Sequence, residues 1–216
     1  MHEERGENFF IELLKIGVPV VVIVILIRLF VAQPFIVSGS SMSPTFATGQ
    51  YLLVDELTYR FEAPQRGDII IFRYPKDPSE YFIKRIIGLP GETLNITPAA
   101  VYLVESNGTK EQLEEPYLVN QGNIVNETVT LGPGQYFVMG DNRPDSSDSR
   151  YWGDVLAQNI IGRAALRLFP LSKIGVLPGK AVIEIEAVAS SSAQAAAALV
   201  RPLHLSFSNL FTSVRS

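Results

Sequence analysis

The chain has 216 residues, a net charge of −4 and 47% hydrophobic residues, enough for one ordinary domain plus an anchor or a tail. Its basic residues form no stripe that would indicate nucleic-acid binding, and the absence of cysteine excludes disulfides, thiolate metal sites and cysteine nucleophiles. The two histidines, His2 and His204, lie near opposite ends, which argues against a Ser-His-Asp triad or a histidine zinc site. Acid–base chemistry must therefore use Lys, Asp, Glu or Tyr.

An uncharged apolar segment at 16–27 extends over 11–32 if Arg28 reaches the interface. That is about 20 residues, the length of a helix that spans a membrane. A cleaved signal peptide is disfavoured, because the preceding residues are acidic and no small-x-small site followed by a soluble start is evident. A buried core helix is the other alternative. We expect a tail over 1–10 and a transmembrane anchor over 11–32, and the Lys and Arg counts do not assign its orientation.

Short apolar runs broken by Gly and Pro predict a mainly β, antiparallel domain over 33–180. The polar stretch 98–126 indicates a surface insertion that carries a hairpin, and 181–216 indicates a C-terminal extension, helical or flexible. The predicted strands are Tyr51–Val54, Asp68–Tyr74, Tyr81–Ile87, Thr93–Ile96, Val101–Val104, Thr128–Leu131, Tyr136–Met139 and Ile160–Leu168.

Residues 38–46 form a Ser- and Gly-rich segment just beyond the predicted anchor. Such a segment is either a linker or a turn that exposes a hydroxyl group near the membrane.

Lys84 lies in an apolar predicted strand and shares a face with Phe82 and Ile86. Of the six lysines, it is the one most deeply embedded in an apolar run outside the predicted anchor. Loss of solvation would lower its pKa and make it a neutral base. The alternative is an exposed edge-strand lysine that discourages aggregation.

Residues 140–153 form a loop rich in side-chain donors and acceptors. Such a loop either folds on its own hydrogen bonds or supports a site. Calcium binding through Asp141, Asp145 and Asp148 is an alternative, but the spacing and terminal Glu of an EF-hand are missing.

Four motifs occur in an order that resembles the conserved boxes of bacterial type I signal peptidases. They are Ser-Met-x-Pro-Thr at 41–45, Arg-Gly-Asp-x-x-x-Phe at 66–72, Tyr-Phe-Ile-Lys-Arg-Ile-Ile-Gly-Leu-Pro-Gly-Glu at 81–92 and Gly-Asp-Asn-Arg…Ser-x-Asp-Ser-Arg at 140–150. The resemblance covers roughly residues 10–175. It implies a membrane-bound serine endopeptidase that removes signal peptides from exported preproteins after small-x-small motifs.

By this resemblance Ser41 is the nucleophile and Lys84 the general base, a known variant of the serine-protease triad. Ser146 matches the serine that orients the lysine amine. Asp148 and Arg150 match an acidic and basic pair that braces the loop. The absence of a usable histidine agrees with this assignment.

The resemblance also suggests how the substrate is held. The backbone N–H of Ser41 is the first oxyanion donor, whereas Gly39 stands where some members carry a serine, so the second donor is open. Pro144 departs from the Asp or Asn of many relatives. The substrate is expected to add a strand to a sheet edge. The positions that match the family's shallow apolar pockets are Phe35, Val37, Met42 and Ile83.

Preproteins and the lipid bilayer are the partners implied, with the domain on the extracytoplasmic side of the cell membrane. No metal, organic cofactor or nucleic acid is implied. A self-cleaving SOS repressor is a rival, but it carries a DNA-binding domain where this chain has the predicted anchor. A non-catalytic membrane-anchored β-domain for binding or assembly is another. Self-cleavage near 187–197, which is rich in Ala and Ser, is a third hypothesis.

Overall fold

The computed structural model describes residues 10–22, 32–120 and 126–187. Residues 10–22 form helix α1, most of whose apolar side chains are exposed. In the described ranges, we find no helix with the length and apolar character needed to cross a membrane. Most of the predicted tail, residues 23–31 of the predicted anchor and residues 188–216 of the predicted extension lie outside the described residues.

The predicted mainly β, antiparallel fold is confirmed, and its larger sheet has eight strands. Along the sheet their order is β1-β2-β11-β3-β4-β9-β10, and β12 pairs with β11. All of these pairings are antiparallel. The strands are β1 (Ala32–Ile36), β2 (Tyr51–Asp55), β3 (Ile69–Tyr74), β4 (Asp77–Gly88), β9 (Gln135–Met139), β10 (Val155–Leu156), β11 (Ile160–Phe169) and β12 (Gly175–Val176).

A second antiparallel sheet has five strands in the order β13-β7-β6-β5-β8. The hairpin predicted within 98–126 is β6–β7. The strands of this sheet are β5 (Thr93–Ile96), β6 (Val101–Val104), β7 (Lys110–Leu113), β8 (Glu127–Thr130) and β13 (Ile185–Ala187). The short helical turns of the chain are Thr58–Arg60, Arg143–Asp145, helix α2 (Ser149–Trp152), Ala157–Asn159 and Leu171–Lys173.

The hairpin takes part in the core of the molecule. Leu103 and Leu113 are buried and belong to the same apolar cluster as Ile87 of β4 and Met139 of β9. Ile183 joins this cluster and leads into β13, so the folded domain continues past residue 180. The segment predicted as a surface insertion therefore supplies two of the five strands of a sheet that packs against the strand carrying Lys84.

The sequence did not predict five strands: β1, β7, β10, β12 and β13. Residues 110–113 read Lys-Glu-Gln-Leu and lack the apolar alternation of a predicted strand. Strands β10 and β12 have only two residues each, too few for a periodic signal. Residue 32, assigned to the end of the anchor, begins β1. Pairing with a neighbouring strand, and not local pattern, defines these elements.

Candidate active site

The turn that carries Ser41 joins β1 to β2. Its base is closed by two backbone hydrogen bonds of 2.9 Å, from Val37 N–H to Gln50 O and from Gly49 N–H to Val37 O. Met42 and Phe46 are 1% and 0% exposed, and they anchor the turn in the apolar cluster beneath β2. Ser41 itself stays half-buried at the surface of the turn. This segment is therefore a turn fixed by hydrogen bonds and core packing, and not a flexible linker.

Lys84 of β4 reaches this turn although it lies 43 residues away along the chain. Its Nζ is 2.8 Å from Ser41 Oγ and 3.0 Å from the carbonyl oxygen of Ile83. The residue is only 4% exposed, unlike an edge-strand lysine held in solvent. Burial lowers the pKa of Lys84 to about 8, while the carboxylates of Asp148 and Asp141 act in the opposite direction. A neutral amine is thus accessible near neutral pH.

The loop from Gly140 to Arg150 packs closely against the turn that carries Ser41. A Cβ atom on Gly140 would lie 2.4 Å from Ser41 O and 2.2 Å from Ser146 Oγ, so only glycine allows this approach. The backbone N–H of Asn142 donates to Ser41 O at 2.9 Å. Ser146 is 4% exposed, and its Oγ has no hydrogen-bond partner among the described residues. Its role in orienting Lys84 remains a prediction.

Asp148 and Arg150 form an ion pair inside this loop. Arg150 Nε and Nη2 both donate to the Asp148 carboxylate at 2.7 Å, and Asp148 is 0% exposed. The same carboxylate accepts the backbone N–H of Gly140 at 3.0 Å. Asp148 therefore connects the end of the loop to its beginning, beside Ser41.

A second buried ion pair, between Arg85 and Asp141, was not singled out from the sequence. Arg85 Nε and Nη2 donate to the Asp141 carboxylate at 2.8 and 2.6 Å, and both side chains are 0% exposed. The hydroxyl of Thr45, in the turn that carries Ser41, also donates to the Asp141 carboxylate at 2.5 Å. Strand alternation offered one signal, because it points Arg85 away from Lys84 and into the interior. Asp141 and Asp148 are each paired with an arginine. Two of the three carboxylates considered as calcium ligands are therefore already engaged, which argues against a calcium site.

A cleft of about 600 Å³ opens beside Ser41 and Lys84. Phe35, Val37 and Ile83, three of the four residues predicted to contact substrate, line it. Met42, the fourth, packs in the core below and does not line the cleft. The cleft therefore combines the Ser41–Lys84 pair with a largely apolar wall.

The chain is similar to known proteins over most of its length. Residues 10–169 match the family model described as "Signal peptidase, peptidase S26". The chain belongs to the signal peptidase family. "Probable signal peptidase I-1" of Synechocystis sp. is 41% identical over 163 residues, which cover 72% of this chain and 81% of that protein. "Signal peptidase I" of Leptolyngbya laminosa is 40% identical over 164 residues, 73% of this chain and 78% of the relative. "Signal peptidase I" of Pseudomonas aeruginosa is 32% identical over 207 residues, 74% and 70% respectively.

As a signal peptidase, the chain is a serine endopeptidase that cleaves signal peptides. The predicted family and enzyme class are thereby confirmed. Membership in this family argues against both the SOS-repressor rival and the non-catalytic binding domain.

Gly39 is the residue for which the family resemblance suggested a serine in some members. It lines the cleft with φ of +96°, a conformation that favours glycine. Its backbone N–H donates to Thr48 Oγ1 at 3.1 Å, and the Thr48 hydroxyl donates back to Gly39 O at 3.0 Å. Gly39 thus shapes the turn that leads to Ser41, and the identity of the second oxyanion donor stays open.

Proposed function

We propose that this signal peptidase uses Ser41 as the nucleophile and Lys84 as the general base. The contact of 2.8 Å between Lys84 Nζ and Ser41 Oγ is the observation that carries the proposal. A serine hydroxyl needs a base to become an effective nucleophile, and a lysine amine can act only when neutral. Burial of Lys84 supplies that condition, since its pKa is lowered to about 8.

In the acylation step, Ser41 Oγ attacks the carbonyl carbon of the scissile peptide bond while Lys84 Nζ takes the hydroxyl proton. The tetrahedral intermediate places its negative charge on the former carbonyl oxygen. When that intermediate collapses, the C–N bond breaks and the Lys84 ammonium group gives its proton to the leaving amine. The mature protein departs, and the signal peptide remains as an ester of Ser41.

In the deacylation step, a water molecule attacks the ester carbonyl while the neutral amine of Lys84 takes a proton from it. The proton returns to Ser41 Oγ as the C–O bond of the ester breaks. The free carboxyl end of the signal peptide and the starting enzyme result. The backbone N–H of Ser41 is the first donor to the oxyanion in both steps.

The supporting residues act by holding the loop against this pair. Asp148 holds the Gly140 amide and the Arg150 guanidinium, and Gly140 borders both Ser41 and Ser146. Ser146 is placed to orient the Lys84 amine, a role supported by its burial beside the nucleophile turn.

We infer that the cleft takes an extended segment with small residues before the scissile bond. Support comes from two strand edges beside the cleft. In the described part of the chain, β1 pairs only with β2, and β4 pairs with β9 only from Arg85 onward. A substrate strand can therefore form backbone hydrogen bonds at these edges. The apolar residues Phe35, Val37 and Ile83 leave shallow space suited to small side chains.

We further propose the domain organisation suggested by the sequence, with a membrane anchor over 11–32 and the catalytic domain on the extracytoplasmic side. The apolar composition of that segment supports the proposal. Helix α1 adds support, since Leu14 and Ile16 are 60% and 70% exposed, as expected for a helix that faces lipid. Retention of the full chain in membranes washed with alkaline sodium carbonate, and its release after deletion of 11–32, would be the expected result.

The proposed mechanism is tested by incubating a purified preprotein with the full chain in detergent and reading the cut site by mass spectrometry. Cleavage after a small-x-small motif is expected from the wild type. Ser41→Ala and Lys84→Met should each lower kcat/KM by at least about 10³-fold, because each removes one member of the reacting pair.

Matched controls come from the same elements. Ser43→Ala alters an exposed serine of the same turn, and Lys76→Ala removes an exposed lysine just before β4. Both should retain cleavage. An active Lys84→Met variant would overturn the role of lysine as base, and cleavage at sites without small residues would overturn the proposed specificity.

A further inference from the structure

Two residues that follow β7, Glu115 and Tyr117, contact the catalytic half of the molecule from outside the four sequence motifs: Glu115 binds Arg143 of the active-site loop, and Tyr117 packs on Arg85 of β4. They are held near the second sheet, since the backbone N–H of Glu114 donates to Glu184 O at 2.9 Å. The Glu115 side chain is only 2% exposed. A buried carboxylate needs strong partners, and these partners lie in the catalytic half of the molecule.

The first partner of Glu115 is Arg143, whose guanidinium is 0% exposed. Arg143 Nη1 donates to Glu115 Oε2 at 3.1 Å, and its Nη2 donates to Glu115 Oε1. Arg143 Nε also donates to Gly140 O at 3.1 Å. Glu115 thus holds the arginine that holds Gly140, and Gly140 lies directly against Ser41 O and Ser146 Oγ.

Tyr117 supports the strand of the base. Its hydroxyl donates to Glu115 Oε1 at 2.6 Å, and its ring lies 3.8 Å from the guanidinium carbon of Arg85. Arg85 follows Lys84 in β4 and binds Asp141, which in turn accepts the hydroxyl of Thr45 beside the nucleophile. Cation–π contact with a tyrosine face stabilises a buried guanidinium in one orientation.

We propose that Glu115 and Tyr117 are positioning residues for the catalytic reaction. Through Arg143 and Arg85 they hold the Gly140–Ser146 loop and β4 at a fixed distance from Ser41. Both arginines are fully buried and bidentate, so neither loop nor strand can shift without breaking a charge-assisted hydrogen bond. The segment that follows β7 is then part of the catalytic apparatus, although neither Glu115 nor Tyr117 lines the cleft.

The inference rests on the proposed function and is tested with Glu115→Gln in the full chain. Plateau kcat should fall roughly 10- to 100-fold, with KM within about twofold, because a loosened loop misplaces the reacting atoms after substrate binds. Glu105→Gln is the matched control. It makes the same charge change at an exposed position in the turn of the β6–β7 hairpin and should leave kcat and KM unchanged.

The pH profile separates positioning from simple loss of folded protein. Asp148 acts electrostatically on both Arg143 and Lys84, so the two cations share one electrostatic environment. Without Glu115, the buried charge of Arg143 lacks its main counter-ion in that environment. Added positive charge favours the neutral amine, so the midpoint of the pH–rate curve should move to lower pH. A reduced folded fraction lowers the plateau and leaves the midpoint in place, and that result would overturn the inference.

Tyr117→Phe is a milder second variant if Glu115→Gln folds poorly. It keeps the ring below Arg85 and removes only the donor to Glu115, so kcat should fall roughly three- to tenfold. Tyr117→Leu removes the ring as well and should lose more. The unfolding of each variant can be followed by fluorescence of Trp152, the one tryptophan of the chain.

Ser41→Ala and Lys84→Met, assayed in parallel, test the proposed function separately. If these two variants are inactive while Glu115→Gln and Tyr117→Phe match the wild type in kcat and pH midpoint, the catalytic pair stands and the positioning role is overturned.

Discussion

Lys84 is the residue on which the proposed chemistry depends, and its environment is unusual for a lysine. It is 4% exposed, its amine touches Ser41 Oγ, and the Phe82 ring lies 5.3 Å from Nζ. Loss of hydration disfavours the ammonium form and outweighs the opposing effect of nearby carboxylates. A site with no histidine among its described residues can therefore hold a neutral base close to physiological pH.

The titration of Lys84 predicts how the rate depends on pH. Because the reactive form is the neutral amine and its pKa is about 8, kcat/KM should rise roughly tenfold per unit below that pH and level off above it. The measurement is kcat/KM for preprotein cleavage in detergent across this range. A profile that is flat through pH 8, or that rises only near the ordinary lysine pKa of 10.5, would contradict a desolvated base.

At the scale of elements, the β6–β7 hairpin is the feature that the sequence described least well. Its polar residues suggested a surface insertion, yet Leu103 and Leu113 are 9% and 2% exposed in the cluster that also contains Ile87 and Phe137. In β6 buried residues alternate with half-buried ones, whereas β7 buries only Leu113 and supplies Lys110, Glu111 and Gln112. The polar residues of β7 and of the turn before it dominate the composition and conceal the inward-facing leucines.

Truncation of one inward residue tests whether the hairpin is structural. Leu113→Ala should lower the free energy of unfolding by about 2–5 kcal/mol, the usual cost of a cavity at a buried leucine. Denaturant unfolding followed by Trp152 fluorescence measures it. Val119→Ala is the control, because Val119 is 80% exposed and its truncation should change stability by less than about 0.5 kcal/mol. Equal effects of the two variants would mean that the hairpin is peripheral.

For the whole molecule, burial of Lys84 lowers the free energy of unfolding at pH values near and below its folded pKa. The folded pKa of Lys84, about 8, lies below the ordinary value of 10.5. Between these values the unfolded chain binds more protons than the folded chain, so the contribution of Lys84 to stability increases as pH rises. Integrated from about pH 8 to about pH 10.5, the resulting increase in the free energy of unfolding is on the order of 3 kcal/mol.

Comparison with Lys84→Met isolates this linkage. The methionine variant lacks the titrating group, so its stability advantage over the wild type, measured by denaturant unfolding, should shrink by roughly 2–3 kcal/mol from about pH 7 to about pH 10. The contribution of other titrating groups cancels in the difference. A constant difference across that range would mean that burial does not hold the pKa of Lys84 down.

Much of this protein could be predicted from its residues. Alternating apolar runs gave the antiparallel β class, because side chains of a strand alternate between interior and solvent. The scarcity of histidine argued against a histidine-based triad, and the absence of cysteine excluded a cysteine nucleophile, independently of any motif. Motif order then indicated the signal peptidase family and singled out Ser41 and Lys84 from the serines and lysines of the chain.

Other features depend on contacts between segments far apart in the chain. The contact between Lys84 and Ser41 spans 43 residues, and the pairs Arg85–Asp141 and Arg143–Glu115 span 56 and 28. Local periodicity reports which face of an element is buried, but not which partner covers that face. Sequence alone therefore determined the class of fold and the family, and it predicted Ser41 and Lys84 as the reacting pair. Only the tertiary structure decided which buried charges pair and how closely Lys84 approaches Ser41, because desolvation and ion pairing arise when distant strands pack together.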